Sequence, residues 1–361
     1  MPINVLRSSP FAVKNPSHGG EHRSEQILEI LSRNNIQTTE LQQSIYQETR
    51  PIRDRFLGVV NSIQNQDWEA FCLKRLGGIG QMLDLYHSEL TQSQKYQAII
   101  WETTGETITP QIKKKYQVPL IALPHNIESF FLTHFRKKES ALVFDYLKQE
   151  IKGLKEADFV FAVSEEEQIL LRNHDIDAEY LPYYPGQRLI ELYSDIRKAR
   201  KNSEKQSLLI LGSAKNYASV EGFIQLAKWI NNCSQNKSLE VKLVGNQTET
   251  LKDTLNYPWL SICGTATKEE LKQYLAETRA VLIHQKKGLG VLTRIPEMLA
   301  AGIPVIANRI AARSVSHLSG VHIYDSPEEL HHLLTQEFEE VPMPLPPKNA
   351  ESRFIQAVLA S

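Results

Sequence analysis

The sequence predicts an α/β protein made of two Rossmann-like domains in series. Short apolar runs alternate with longer amphipathic segments along the whole chain, which is typical of parallel strands joined by helices. The length of 361 residues is roughly twice that of a common domain. A turn-rich strand exit, LPYYPGQ, and the charged stretch IRKARKNSEKQ separate two such alternating halves, which favours a domain boundary there.

The predicted division gives each half its own set of strands. An N-terminal domain over residues 1–184 carries a mostly helical insertion near residues 50–92, and residues 185–206 form a linker. A C-terminal domain follows over residues 207–345. The tail, residues 346–361, begins proline-rich and extended and ends in a short helix.

Apolar runs locate the strands, and hydroxyl residues mark several helix starts. In the first half the runs predict strands at residues 3–7, 36–41, 97–101, 119–123 and 158–163. In the second half they predict strands at residues 207–211, 240–244, 260–263, 280–284, 304–307 and 321–324. Helices are expected to begin at Ser164, Thr267 and Ser326, because a glutamate three residues later completes a capping box before an apolar stripe.

Composition and charge exclude several classes of protein. Lys plus Arg total 41 and Asp plus Glu total 42, a net charge of −1 that argues against a nucleic-acid binder. No uncharged run is long enough for a membrane span, and the N-terminus lacks a signal-peptide pattern. Cys72, Cys233 and Cys263 are spaced for neither a disulfide framework nor a zinc site. We therefore expect a cytoplasmic protein without a metal site.

The segment most informative about function runs from residue 280 to 308, AVLIHQKKGLGVLTRIPEMLAAGIPVIAN. A buried strand ends in a loop containing Gly288 and Gly290, and a helix is predicted to begin near Val291. Glycines let the backbone approach a phosphate closely, and a helix N-terminus presents free N–H groups to an anion. The pattern therefore predicts a phosphate-binding loop.

Arg294 and Glu297 lie three residues apart, which places them on one face of the predicted helix. A cation that reaches a diphosphate and a carboxylate that accepts from ribose hydroxyls would together fit a nucleotide-sugar donor. The spacing leaves an alternative open, an ion pair on a solvated helix surface.

The same segment resembles the donor-binding core of retaining GT-B glycosyltransferases of family 4. One variant of that family's pattern, G-x-G-x-x-x-[KR]-x-x-E-A-x-A-x-G-x-P-V, is matched here by Gly288, Gly290, Arg294, Glu297, Ala300, Gly302, Pro304 and Val305, with loose positions at Met298 and Leu299. In the first half, PSHGGEHRSEQILEIL, LPHNIESFF and KEADFVFAVSEEEQILL resemble further family blocks. In the second half, SLLILGSAKNYASVEGFIQLAKWI, VKLVGN and ICGTATKEELKQYLAETRAVLIH continue in the family's order. The resemblance covers most of the chain apart from the helical insertion and the tail.

The resemblance implies a GT-B architecture, in which two Rossmann-like domains face each other across a cleft and a C-terminal helix follows. It implies transfer of a sugar from a nucleotide-diphosphate sugar to an acceptor hydroxyl, with retention of anomeric configuration and without a metal. The donor would bind the second domain. The acceptor, a glycan, a lipid-linked carbohydrate or a small molecule, would bind the first, and no cofactor other than the donor substrate is expected.

The resemblance also implies roles for particular residues. The donor site would comprise Gly212, Ser213, Lys215, Gly288, Gly290, Val291, Arg294 and Glu297. The catalytic residues would be His125, Arg294 and Glu297, with His125 bonding the transferred sugar or polarising the acceptor. Gly19 and Gly20 would form an acceptor or phosphate loop that lines the cleft near the donor phosphates and the acceptor. Glu102, just after a strand, is a further candidate for the cleft, and Glu128 is expected to support local helix structure.

Two departures from the family pattern keep other functions open. Leu289 occupies a position where many members carry a second glutamate, and Lys215 is the one cation in a loop where many carry both an Arg and a Lys. The alternatives are a non-catalytic GT-B protein that acts as a binding or partner subunit, and a nucleotide-sugar epimerase. Basic clusters at residues 113–115, 136–138 and 197–201 indicate either a solvated surface or peripheral contact with an anionic membrane.

Overall fold

A computed structural model describes residues 3–11, 13, 16, 18–42, 52–64, 76–91, 96–102, 104–106, 108–130, 140–205, 207–232 and 239–361. The chain divides into two compact units, the first made of Met1–Pro182 with Pro347–Ser361 and the second of Tyr183–Pro346. Each unit contains a six-stranded sheet whose paired strands run parallel. The predicted α/β class is therefore confirmed.

The sheet of the first unit has the order β2-β1-β3-β4-β5-β6. Its strands are β1 (Ile3–Ser9), β2 (Ile36–Gln42), β3 (Ala98–Trp101), β4 (Leu120–Ala122), β5 (Phe159–Ala162) and β6 (Ala178–Tyr180). In the described part of the first 182 residues, the helices are α1 (Gly19–Arg33), α2 (Ile52–Gln64), α3 (Leu76–Thr91), α4 (Ile108–Tyr116), α5 (Ser140–Leu154) and α6 (Glu165–Arg172). Within the predicted helical insertion, α2 and α3 are helical, and residues 65–75 lie outside the described residues.

The sheet of the second unit has the order β12-β11-β10-β7-β8-β9. Its strands are β7 (Ser207–Leu211), β8 (Val241–Val244), β9 (Leu260–Gly264), β10 (Thr278–Ile283), β11 (Val305–Asn308) and β12 (Val321–Tyr324). Its helices are α7 (Gln187–Lys201), α8 (Tyr217–Asn232), α9 (Lys268–Glu277), α10 (Arg294–Ala300) and α11 (Pro327–Thr335). The last helix of the chain, α12 (Lys348–Ala360), is part of the first unit.

All the strands predicted from apolar runs are present, because strands of a parallel sheet with both faces covered are apolar along their length. The strand β6 was not predicted, since its sequence, AEY, contains no apolar run. The predicted helix starts are confirmed. The hydroxyls of Ser164 and Ser326 accept from backbone N–H groups at the beginning of α6 and α11, and Thr267 forms a full capping box at the beginning of α9.

Residues 185–206, predicted as a linker, contain the helix α7 of the second unit. The apolar face of α7, which includes Leu189 and Ile196, is buried in the core of that unit. Arg200 is 5% exposed and donates to the carbonyls of Leu275 and Thr278, both at 2.7 Å. Most of the charged residues that suggested a linker therefore belong to a helix of the second unit, and one of them, Arg200, forms hydrogen bonds in the interior of that unit.

The tail, predicted as a separate segment, contributes its helix to the first unit's core. Phe354 and Val358 of α12 are fully buried and pack against Ile27 and Ile30 of α1 in one apolar cluster. None of the helices in the described part of the chain is both long and apolar enough to cross a membrane.

The strand orders identify where a ligand would bind in each sheet. In the first unit β1 lies between β2 and β3, and in the second unit β7 lies between β8 and β10. At such a switch point successive connections leave in opposite directions, and ligands bind there at the carboxyl ends of the strands. This rule selects the residues that follow β1 and β3 in the first unit and β7 and β10 in the second.

Candidate active site

The loop after β7 places Gly212 beside Arg294 of α10. A Cβ atom on Gly212 would lie 2.6 Å from the ring of Phe223 and 3.5 Å from Nη1 of Arg294. The next residues turn sharply, since Oγ of Ser213 accepts from the backbone N–H of Lys215 at 3.2 Å. The side chain of Lys215 is exposed. The structure thus brings this loop and Arg294 together at the switch point.

The strand β10 ends next to His284, a residue that the sequence analysis missed. Helix α8 packs directly on it, because a Cβ atom on Gly222 would lie 2.0 Å from the carbonyl oxygen of His284. Nδ1 of His284 lies 2.8 Å from Oη of Tyr324, which is fully buried. Burial, together with the charge of Lys286, lowers the pKa of His284 to about 4. The side chain is therefore neutral near pH 7.

The loop between β10 and α10 needs its glycines. Gly290 has φ +57°, in the left-handed region that favours glycine. At Gly288 a Cβ atom would lie 2.1 Å from the guanidinium of Arg313. Arg313 donates to Oε1 of Gln285 at 2.9 Å and to the carbonyl of Leu289, so it joins the beginning of the loop to its middle. Sequence reasoning missed Arg313 because it lies outside the motif.

The helix α10 begins at Arg294, whereas the sequence predicted a start near Val291. The half-buried Arg294 side chain donates through Nη1 to the carbonyl of Leu211, the last residue of β7. Burial lowers the pKa of Arg294, and the nearby Glu297 carboxylate opposes that shift. Arg294 therefore connects the start of α10 to the carboxyl end of β7.

Glu297 is 6% exposed and is held by two tyrosines. Its Oε1 accepts from Oη of Tyr183 at 2.9 Å, and its Oε2 accepts from Oη of Tyr193 at 3.1 Å. The alternative of a solvated helix surface is wrong for this residue, because the carboxylate is buried. A carboxylate offers about four acceptor positions, so these two phenols do not exhaust it.

In the first unit, Gly19 and Gly20 form the first turn of α1, whereas the sequence predicted a loop. A Cβ atom on Gly20 would lie 2.6 Å from the ring of Phe11. The Phe11 ring in turn meets the ring of His125 edge-on, with centroids 5.1 Å apart. The structure thus places Gly20 and His125 against the same aromatic ring.

His125 follows β4 and is 8% exposed. Its Nε2 lies 2.8 Å from Oε2 of Glu102, while its Nδ1 is buried and has no hydrogen-bond partner within the part of the chain that the structure describes. Burial lowers the pKa of His125 and outweighs the opposing effect of Glu102.

Glu102 follows β3 at the switch point and is completely buried. It pairs with Arg7 of β1 and accepts from the hydroxyls of Ser9 at 3.1 Å and Ser24 at 2.6 Å. Burial alone would raise the pKa of Glu102, but the Arg7 guanidinium and the His125 hydrogen bond hold it below its ordinary value. This carboxylate, a minor candidate in the sequence, is the centre of the polar cluster in the first unit.

The turn after His125 is held by buried carboxylates. The backbone N–H groups of Glu128 and Ser129 donate to Glu150 at 2.9 and 2.8 Å, and that of Ile127 donates to Glu167 at 3.0 Å. Burial and the charges of Glu150 and Glu167 raise the pKa of Glu128 to about 7. These contacts fix the backbone that carries His125.

Among the described residues, no group of three or more His, Cys, Asp or Glu side chains is arranged to hold a metal ion. In the basic cluster at 113–115, Lys113 pairs with Asp158 and Lys114 pairs with Glu156, each at 2.8 Å. The cluster at 136–138 lies outside the described residues, as do Cys72 and Cys233.

Comparison with known proteins finds similarity in structure only. No protein-family model matches the chain, and no curated protein matches it in sequence. Sucrose-phosphate synthase from Thermosynechococcus elongatus matches over 99% of this chain and 94% of that one, at 12% identity and a TM-score of 0.65. Anabaena HepE in complex with UDP matches over 99% and 96%, at 14% identity and a TM-score of 0.59. OtsA in its apo form matches over 99% and 96%, at 10% identity and a TM-score of 0.60.

At these identities the similarity concerns the fold. These proteins have the GT-B fold of two α/β units, and the prediction of that fold class for this chain is confirmed. Membership of family 4 and a retaining mechanism stay predictions.

Proposed function

We propose that this protein transfers a sugar from a nucleotide-diphosphate sugar to an acceptor hydroxyl, with retention of configuration and without a metal. The observation that carries the proposal is the meeting of Gly212 and Arg294 at the switch point of the second sheet, with the loop that contains Gly288 and Gly290 leading into the helix of Arg294. The HepE structures with UDP and with UDP-glucose support a donor of this class for a chain of the same fold.

The donor diphosphate is assigned to the second unit. Departure of the nucleotide diphosphate develops negative charge on phosphate oxygens, which cations and backbone N–H groups stabilise. Arg294 is held in place by the Leu211 carbonyl, and the exposed Lys215 lies three residues beyond Gly212 in the same loop. We assign both cations to the leaving group and Glu297 to the ribose hydroxyls.

His125 is assigned to a hydroxyl of the transferred sugar or of the acceptor. Its buried Nδ1 is unpartnered in the described chain, which suits a ligand that supplies a hydrogen bond. His125→Ala should lower turnover by about 10²-fold, the usual scale for one positioned group. Nucleotide affinity, measured by calorimetry, should change little, because the diphosphate is assigned to the other unit. Equal turnover in this variant would show that His125 is structural.

The proposal is tested by ligand-induced stabilisation and by product analysis. A ligand at 100 times its Kd adds about 2.7 kcal/mol of stability, so a thermal-shift screen of nucleotide sugars should reveal the donor. Proton NMR of the fresh product should show the donor's anomeric configuration, and a chelator should leave the rate unchanged. An inverted product excludes retention, and a strict requirement for Mg²⁺ or Mn²⁺ excludes the metal-independent mechanism.

The same experiments distinguish the alternatives. A non-catalytic binding subunit would be stabilised by a nucleotide sugar without consuming it. An epimerase would change the sugar of the donor in the absence of any acceptor.

A further inference from the structure

Three buried polar side chains lie at the carboxyl ends of adjacent strands in the first unit: Arg7 of β1, Glu102 after β3 and His125 after β4. Buried charges are costly unless they are paired and hydrogen-bonded. Nη2 of Arg7 lies 3.0 Å from Oε2 of Glu102, and Nε2 of His125 lies 2.8 Å from the same oxygen. The three groups therefore form one hydrogen-bonded chain.

Arg7 fixes the position of the Glu102 carboxylate. Its Nη1 is held on the opposite side by Glu40 of β2, at 2.9 and 2.7 Å from the two carboxylate oxygens. Its Nε and Nη2 donate to separate oxygens of Glu102. Because a guanidinium offers only donors and a positive charge, it favours the ionised form of the Glu102 carboxylate, which accepts with both oxygens.

An ionised carboxylate can only accept, and this determines which nitrogen of His125 carries a proton. The proton lies on Nε2, which faces Glu102, and a neutral imidazole then has a lone pair on Nδ1. His125 is neutral because burial lowers its pKa, with the charges of Arg23 and Arg7 acting in the same direction and Glu102 opposing. Nδ1 is the buried nitrogen that meets no partner in the described residues.

We propose that Glu102 is a positioning residue that holds His125 in the Nε2–H tautomer, so that Nδ1 accepts a hydrogen bond from a substrate hydroxyl. The identity of that hydroxyl, on a sugar or an acceptor, rests on the proposed function. The tautomer does not, because it follows from the burial of His125 and its contact with the Glu102 carboxylate. The ligand of Nδ1 is thus a hydroxyl that donates.

Glu102→Gln is expected to reverse the tautomer. Nε of Arg7 needs an acceptor at the Oε1 position, while its Nη2 has the hydroxyl of Ser9 at 3.1 Å as a second acceptor. The amide oxygen should therefore face Nε, and the amide NH₂ should face His125 and the hydroxyls of Ser9 and Ser24, which can rotate to accept from it. Nε2 must then accept, so the proton moves to Nδ1, which no longer accepts from a hydroxyl.

The experiment is NMR of the full-length protein with ¹⁵N-labelled histidine, with the His125 signals assigned by their loss in His125→Ala. In the wild type we expect Nε2 protonated and Nδ1 unprotonated near pH 7, and in Glu102→Gln the reverse. Glu40→Gln is the matched control, because Glu40 bonds the same arginine from β2 without contacting His125, and it should keep the wild-type tautomer.

Kinetics add a second readout. Glu102→Gln should lower turnover by about 10²-fold, the scale of one lost catalytic contact, and leave the Kd of the nucleotide sugar within about twofold. Protonated Nδ1 in the wild type overturns the proposal whether or not the variant folds, and so does a folded Glu102→Gln with unchanged tautomer and rate. The expected tautomers in a protein that transfers no sugar would refute the proposed function while supporting the positioning of His125 by Glu102.

Discussion

Arg294 and Glu297 share one turn of α10 but differ in their surroundings, so their contacts can be tested separately. Arg294→Ala removes a cation assigned to the leaving diphosphate, whose charge grows in the transition state. It should therefore lower turnover more than donor affinity. Arg309→Ala is the control, because Arg309 is an exposed arginine of the same unit paired with Asp325. Steady-state kinetics that are equal for both variants would place the donor phosphates elsewhere.

The tyrosine contact of Glu297 should be visible in stability. Tyr193→Phe removes a buried hydrogen bond to a carboxylate, which is worth roughly 1.5–3 kcal/mol of unfolding free energy. Tyr217→Phe removes the same type of bond, to Glu221, from a tyrosine that is 61% exposed, and should cost under about 1 kcal/mol. Urea unfolding compares the two. Equal losses would show that burial of Glu297 adds nothing to this bond.

Glu128 gives the stability of the first unit a pH dependence. Its pKa rises from 4.5 to about 7 on folding, so the folded state binds the extra proton between those values and the free energy of unfolding falls as pH rises through them. Glu128→Gln has no such proton, and above pH 7 it should exceed the wild type in stability by about 3 kcal/mol, from 1.36 kcal/mol per pKa unit. Urea unfolding at pH 5 and pH 8 measures this. A difference between variant and wild type that is the same at both pH values would contradict the assignment.

Residues of the site differ in how far the sequence reveals them. Gly288, Gly290 and Arg294 occur in one short segment whose spacing already predicts a phosphate loop. Glu102 could not be predicted in the same way, because its partner Arg7 is 95 positions away in the chain and the two meet only through strand order. Long-range pairs of this kind become visible once β1, β3 and β4 are adjacent.

At the scale of elements, runs of apolar residues predicted the strands well. Runs of charged residues were a poor guide to helices. The strand β10 is identifiable in the sequence because its last four residues, AVLI, form an apolar run. All four are buried in the structure. The helix α7 was predicted as a linker because its arginines are typical of a solvent-exposed segment. In the structure, Arg197 and Arg200 donate to backbone carbonyls, a partner that no side-chain pattern can indicate.

The helix α7 should therefore stabilise the second unit through Arg200. Arg200→Met leaves the carbonyls of Leu275, Thr278 and Gly302 without this donor, and each buried unsatisfied acceptor costs about 1–3 kcal/mol. We expect a loss of about 3 kcal/mol or more, seen as faster hydrogen exchange in peptides from residues 183–346. Lys198→Met on the same helix is the control, since the Lys198 side chain is 78% exposed, and it should change little. Equal effects of both substitutions would mean that α7 acts only through its apolar face.

For the whole molecule, two sheets of different strand order each place candidate ligand-binding residues at the switch point. The first unit presents Glu102 at its switch point and the second presents Gly212 and His284. The fold follows from the alternation of buried strands and helices, which many sequences satisfy, and similar structures are accordingly only 10–14% identical. Function depends instead on a few residues at the strand ends, and ligand binding at these residues tests it directly.

The proposed transfer depends first on binding of a nucleotide-diphosphate sugar by the second unit. Hydrogen exchange of the full-length protein, measured peptide by peptide with and without each member of a nucleotide-sugar panel, tests it most directly. We expect at least one donor to slow exchange in peptides covering residues 211–217 and 284–298, and Arg294→Ala to weaken this protection. Protection confined to residues 1–182, or no protection by any nucleotide, diphosphate or nucleotide sugar, would show that the second unit does not bind the donor.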